Sequence, residues 1–89
     1  MNMDFDSLRE RLGELSFPSV YMFKFIVKSD LQKIAQIESL FQPEKAEIIR
    51  KESSKGAFIS ISVKEVMLSP DEIISVYEKA SKIHGVITL

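Results

Sequence analysis

The chain has no cysteine, no tryptophan and a single histidine, and it contains only three glycines and three prolines in 89 residues. Without cysteine it can form neither a disulfide bond nor a thiolate nucleophile, which fits a reducing compartment. Its first residues lack the basic start and apolar run of a signal peptide, and no apolar run reaches the ~18 residues that a membrane span requires. We therefore expect a cytoplasmic protein that does not associate with membranes.

Catalytic machinery is equally scarce. The histidine, His84, precedes Gly85 at the junction of a predicted helix and a strand, a position typical of a solvated residue near a helix C-terminus. The acidic residues are spread along the chain, and the pair Asp71 and Glu72 is explained by the dipole of the helix that begins there. Hydrolytic triads and metal sites need more ligands and bases than this. We expect no catalytic residue, no metal site, no cofactor and no enzymatic activity.

Composition and charge describe an ordinary small globular protein. Apolar residues make up 45% and charged residues 28% of the chain, as in proteins that fold around one core. Twelve basic and thirteen acidic residues give a net charge of -1, so no long-range field attracts the chain to nucleic acid or anionic lipid. At this length we expect a single domain over residues 1–89.

Hydrophobic periodicity predicts three helices and four strands. The first is an N-terminal helix over residues 1–16 with an inward stripe of Phe5, Leu8, Leu12 and Leu15, and a strand over 19–28 follows it. The next helix is capped by Ser29, has an inward stripe of Leu31, Ile34, Ile37 or Glu38, and Phe41, and ends before Pro43. After it come strands over 46–53 and 57–66, a helix capped by Ser69 whose stripe runs from Ile73 to Ile83, and a strand over 86–89.

The order βαββαβ after an N-terminal helix predicts an α+β fold. Two amphipathic helices can bury their apolar stripes by packing on one face of a four-stranded antiparallel sheet, with strand order 4-1-3-2. This is a ferredoxin-like two-layer sandwich over residues 17–89. The alternation of strands one and three leaves a second sheet face open, with Met22, Lys24, Ile26, Phe58, Ser60, Ser62 and Lys64. We expect this face to be the surface most available to a partner.

A short segment between strands two and three is a candidate binding site. It consists of Ser53, Ser54, Lys55 and Gly56. Two hydroxyls, a lysine and a glycine at a turn can present backbone N–H groups and positive charge to an anion. The same composition is typical of an ordinary hairpin turn, and the residues alone favour that interpretation over a binding site. The candidate interaction or ligand site is this segment together with Phe58, Lys24, Ser60 and Ser62 of the open sheet face.

RNA-recognition domains share this fold and stack bases on aromatic residues of strands one and three. In this chain Ala57 and Ile59 stand where two of the stacking aromatics belong, which leaves Phe58 and Tyr21 as platforms. RNA binding is therefore the weakest of the functional hypotheses, and we do not expect nucleic acid to be the partner.

Several motifs occur together along the chain. They are Glu14-Leu15-x-Phe17-Pro18, Tyr21-x-Phe23-Lys24, Ser53-Ser54-Lys55-Gly56, Phe58-x-Ser60-x-Ser62, Ser69-Pro70-Asp71-Glu72, Tyr77 and Gly85-Val86. In these motifs the chain resembles the YbeD-like family of small bacterial proteins over essentially its whole length. The resemblance implies a ferredoxin-like fold similar to ACT regulatory domains, which bind small ligands, often amino acids, at interfaces between paired domains. It also makes the binding-site and turn interpretations of the segment from Ser53 to Gly56 equal alternatives.

These observations favour a non-catalytic regulatory or protein-interaction module. Its expected partner is another protein or a second copy of the chain, as a homodimer. The alternative is an ACT-like sensor that holds a small anionic metabolite near Ser53, Ser54, Lys55 and Gly56.

Overall fold

The computed structural model describes residues 4–89. Its elements are α1 (Phe5–Leu12), β1 (Ser19–Lys28), α2 (Leu31–Glu38), β2 (Glu47–Glu52), β3 (Phe58–Met67), α3 (Pro70–Ser81) and β4 (Ile87–Thr88). The strands form one antiparallel sheet in the order β2-β3-β1-β4. This is the predicted order counted from the opposite edge. The α+β class and the four-stranded antiparallel sheet are confirmed, and the fold is broadly ferredoxin-like.

The centre of the sheet is the antiparallel pairing of β1 with β3. Ten residue pairs run from Ser19 opposite Met67 to Lys28 opposite Phe58. The side chains of Phe23, Phe25 and Ile61 are completely buried, and that of Ile59 is 8% exposed. Even-numbered residues of both strands point to the other side of the sheet. The predicted register is confirmed.

An aromatic cluster fixes the helical layer on the sheet. The ring centroid of Phe23 lies 5.3 Å from that of Phe41 and 5.3 Å from that of Tyr77 in α3. On the same strand the Tyr21 ring lies 4.8 Å from the Phe23 ring. Burying each large apolar side chain contributes about 1.5–3 kcal/mol, so this cluster is a major part of the core.

The N-terminal helix is shorter than the predicted span of residues 1–16. Its first three predicted residues lie outside the described part of the chain, and the Asp4 carboxylate caps it by accepting the N–H of Ser7 at 3.2 Å. The helix ends at Leu12 because Gly13, a weak helix former, follows and the next residues make tighter turns. The prediction that Leu15 faces inward is wrong, since its side chain is 45% exposed.

Asp30, rather than the predicted Ser29, caps α2. The Asp30 carboxylate accepts the backbone N–H of Gln32 at 2.9 Å. Ser29 instead extends the sheet, and its hydroxyl donates to the carbonyl oxygen of Gly56 at 2.6 Å. A tertiary contact therefore decided between two residues that are both good caps.

Several other predicted boundaries also shift. The helix α2 ends at Glu38, well before Pro43, and Leu31 on its first turn is 83% exposed rather than inward. The helix α3 ends at Ser81, so Ile83 follows it. The strands β2, β3 and β4 each differ from the predicted spans by one residue at both ends. Within residues 4–89, no helix has both the length and the apolarity to cross a bilayer.

The predicted cap of α3 is confirmed. The hydroxyl of Ser69 accepts the backbone N–H of Glu72 at 3.3 Å, and Pro70 occupies the first turn. The Glu72 carboxylate reaches back to the N–H of Leu68, one residue before the position that a capping box uses.

Core truncation tests the burial pattern. We expect Phe25→Ala and Ile61→Ala each to lower the free energy of unfolding by about 2–5 kcal/mol, because each leaves a cavity in a fully packed core. Met22→Ala, on the same strand but facing solvent, should change it by no more than about 0.5 kcal/mol. Chemical denaturation measures all three, and equal losses at Phe25 and Met22 would contradict the register.

Candidate functional site

The sheet has one face without helices, which we call the open face. Its residues are Val20, Met22, Lys24, Ile26 and Lys28 of β1, Glu47, Ile49 and Lys51 of β2, Phe58, Ser60, Ser62, Lys64 and Val66 of β3, and Ile87 of β4. They share a face because residues directly opposite one another in an antiparallel ladder lie on the same side of the sheet.

The open face is unusually apolar for an exposed surface. Ten large hydrophobic side chains are exposed within residues 4–89, and six of them lie here: Val20, Met22, Ile49, Phe58, Val66 and Ile87. The half-buried Ile26 lies among them, opposite Ile87. Large contiguous apolar patches on a monomer's surface generally mark interaction sites.

The open face is also basic. It carries four lysines and one glutamate, whereas the rest of the chain has eight basic and twelve acidic residues. Among the described residues, neither of the two ion pairs involves a lysine of this face. The face is therefore positive in a chain whose net charge is -1.

Three of the predicted site residues meet in a shallow groove on the open face. Ser53, Phe58 and Ser60 line it together with Ile26, Lys51 and Glu52, and its volume is about 360 Å³. Lys24 and Ser62 lie opposite one another one step further along the ladder. Sequence reasoning missed Lys51, since the weak alternation of β2 does not fix its register, and only the pairing with Ser60 does.

The remaining predicted residues form the tip of the β2–β3 hairpin. The N–H of Ser53 donates to the carbonyl of Phe58 at 2.9 Å, and its hydroxyl accepts the N–H of Phe58 at 3.2 Å. The N–H of Gly56 donates to the Ser53 carbonyl at 2.9 Å. Ser53 and Gly56 thus close the turn, and Ser54 and Lys55 are its exposed central residues. Anion binding by this segment stays a prediction.

A second concavity, on the helix side of the sheet, was not predicted. This cavity of about 480 Å³ is lined by Asp4, Leu8, Arg11, Leu12, Leu15, Tyr21, Tyr77 and Leu89. The hydroxyls of Tyr21 and Tyr77 are hydrogen-bonded at 3.0 Å. Burial, together with this hydrogen bond, raises the pKa of Tyr77 above its ordinary value. Because the Tyr21 ring packs on this side, it is not the open-face platform that the sequence suggested.

The described residues include no group of three acidic or histidine side chains that could hold a metal ion. His84 is exposed after α3, as predicted. The chemistry available on the open face is hydrophobic contact, hydrogen bonding by serines and attraction to acidic groups.

Two substitutions separate the roles of the hairpin residues. Lys55→Glu should leave the free energy of unfolding within about 0.5 kcal/mol of the original, because the side chain is exposed and unconstrained. Gly56→Val should lower it by about 1–3 kcal/mol, since Gly56 has a φ of 69° that a β-branched residue adopts only under strain. No atom lies within 4 Å of a Cβ built on Gly56, so the cost comes from the backbone alone. Denaturation midpoints test both, and a neutral Gly56→Val would contradict this account of the turn.

Comparison with known proteins places the chain in a family. A family model described as a protein of unknown function (DUF493) matches residues 13–89, a span that begins just after α1. No curated protein and no solved structure matches the chain significantly. DUF493 is the YbeD family, so the family predicted from the motifs is confirmed. Because the match covers most of the sequence, the protein belongs to the DUF493 family.

Proposed function

We propose that the protein is a non-catalytic interaction module that binds another protein through its open face. The observation that carries this proposal is the concentration of exposed hydrophobic side chains on one surface: six of the ten within residues 4–89. They lie mainly in two groups, with Val20, Met22 and Val66 toward one end of the central strands and Phe58 and Ile87 near the half-buried Ile26 toward the other. A partner would bury apolar side chains at both ends of the face. Binding of this kind regulates or positions the partner without chemistry on the module itself.

The charge of the open face supports an acidic partner surface. Lys24, Lys28, Lys51 and Lys64 are interleaved with the apolar side chains, and Glu47 is the acidic residue among them. A face-to-face pair of identical copies would bring these lysines toward one another, which is unfavourable. A different protein with carboxylates around an apolar centre is complementary in both respects.

The aromatic content supports protein over RNA. Phe58 is the aromatic residue on the open face of the described chain, whereas RNA-recognition domains stack bases on aromatics from two central strands. The equivalent positions of β1 are occupied by Met22 and Lys24. Single-stranded RNA would find positive charge here but little stacking surface.

The proposal predicts which substitutions abolish binding. We expect Phe58→Asp and Lys24→Glu each to weaken binding of a partner captured from cell lysate by at least about tenfold, because hydrophobic anchors and complementary charges at an interface centre carry most of the affinity. Quantitative mass spectrometry identifies the partner, and titration of the purified partner measures the loss.

Two matched variants serve as controls. Leu31→Asp makes the same kind of change at an exposed apolar residue of α2, and Lys45→Glu reverses an exposed charge in the loop that follows. Both should bind as the original protein does. The proposal fails if Phe58→Asp protein, shown to be folded, captures the same partner as Leu31→Asp protein. If treatment with ribonuclease abolished the capture, the partner would be RNA. If sedimentation showed self-association and Lys24→Glu strengthened it, the partner would be a second copy of the chain.

A further inference from the structure

One edge of the central strand β1 is only partly covered. β4 lies on the side of β1 away from β3, but it pairs only with Phe25 and Ile26. One further hydrogen bond, from the N–H of Leu89 to the carbonyl of Lys24 at 2.9 Å, extends this contact. Toward its N-terminal end, β1 therefore has no strand neighbour on this side among residues 4–89.

The alternation of antiparallel hydrogen bonds identifies the backbone groups at this edge. The carbonyl of Lys24 points toward β4, because it accepts from Leu89. Successive residues of a strand direct their N–H and C=O groups to opposite neighbours, so those of Met22 and Val20 point the same way. Within the described chain the Val20 carbonyl has only a long contact of 3.5 Å with the Ser19 hydroxyl, and no other bond on this side is present. Both side chains are exposed, at 63% and 53% for Val20 and Met22.

The unpredicted cavity lies directly beside this edge. Tyr21 lines the cavity and lies between Val20 and Met22, whose backbone groups have no strand partner on this side among residues 4–89. Leu89, whose N–H donates to the Lys24 carbonyl, also lines the cavity. Its walls are the leucines of α1 and the following turn, and its polar part consists of the hydrogen-bonded tyrosine hydroxyls together with Asp4 and Arg11. A cavity with leucine walls and a few polar groups, beside unpaired strand groups, matches the sites at which domains bind extended peptides by strand addition.

We propose that an extended segment of a partner protein adds as a strand along Val20 and Met22 of β1. The residue of the segment opposite Tyr21 points to the helix side, so a large apolar side chain there enters the cavity. The residue opposite Met22 points to the open face, diagonal to Lys24, which an acidic side chain can reach. The recognised segment is therefore extended, with an apolar anchor next to a carboxylate. This site uses the backbone edge and the cavity, and it shares with the open face only the β1 residues at that edge. It does not depend on the function proposed for the rest of the open face.

Amide hydrogen exchange followed by NMR tests the site with the full chain. The probe is a peptide selected from a displayed library of short linear peptides. In the free protein we expect the amides of Val20 and Met22 to exchange at least about tenfold faster than those of Tyr21 and Phe23, which bond to β3. The selected peptide should slow exchange at Val20 and Met22 by at least about tenfold. A library that yields no binder, or a peptide that protects neither amide, overturns the proposal.

Backbone and cavity variants add a second, independent measurement. Met22→Pro removes the free N–H without breaking a bond to β3, as proline can do on a strand edge, whereas Met22→Ala keeps it. The affinity for the peptide should be at least about tenfold lower in Met22→Pro protein than in Met22→Ala protein. Because proline can also disturb folding, a second variant, Leu15→Lys, places a charge in the cavity wall and should reduce peptide affinity to a similar extent. Its control is Leu68→Lys, at an exposed leucine outside the cavity, which should not reduce peptide affinity.

The outcomes separate this site from the open face. Phe58→Asp should bind the peptide normally, since Phe58 lies on β3, away from this edge. Equal peptide binding by the Leu15→Lys and Leu68→Lys proteins overturns the proposal. It is also overturned if the protein self-associates with increasing concentration, and Met22→Pro abolishes that self-association whereas the selected peptide does not.

Discussion

The antiparallel register between β1 and β3 is the constraint on which the other features depend. A shift of one residue in either strand would move Lys24 or Lys64 into the core and turn Phe23 or Ile61 to solvent. The cost of burying lysines and exposing aromatic rings excludes that alternative. The same alternation that packs the helices against one face therefore determines which side chains form the open face, and core and candidate site are two results of one pairing.

The sequence was most informative where one strong pattern acted alone. Alternation in β1 and β3 was enough to predict both strands and the burial of Phe23 and Ile61, and the Ser69 cap was enough to predict the start of α3. The ends of the helices were harder to predict. Leucines at helical spacing extend beyond α1 to Leu15, yet spacing alone does not show where hydrogen bonding stops. Local sequence also could not choose between Ser29 and Asp30, since the contact with Gly56 is distant along the chain.

How much of the candidate site could be predicted also depended on the strength of the strand patterns. Phe58 and Lys24 were assigned to the open face because strong strands carry them, whereas Ile49 and Lys51 were not, since the weak strand β2 takes its register from β3. The edge of β1 that residues 4–89 leave uncovered could not be predicted from the sequence, for a different reason. It depends on the shortness of β4 and on the path of the segment after α1, which only packing determines.

The separation of charge across the molecule affects how partners reach it. With four lysines on one side of the sheet and an excess of acidic residues elsewhere, the protein has an electric dipole directed through the sheet although its net charge is only -1. An acidic protein that diffuses close to it would experience a torque that turns the open face toward it, and so would meet that face more often than random collision allows. This orientation acts before any contact forms, and salt screens it over about 8 Å at physiological ionic strength. For the proposed partner, the rate of encounter should therefore depend on ionic strength more than the lifetime of the complex does, because salt does not screen apolar contacts.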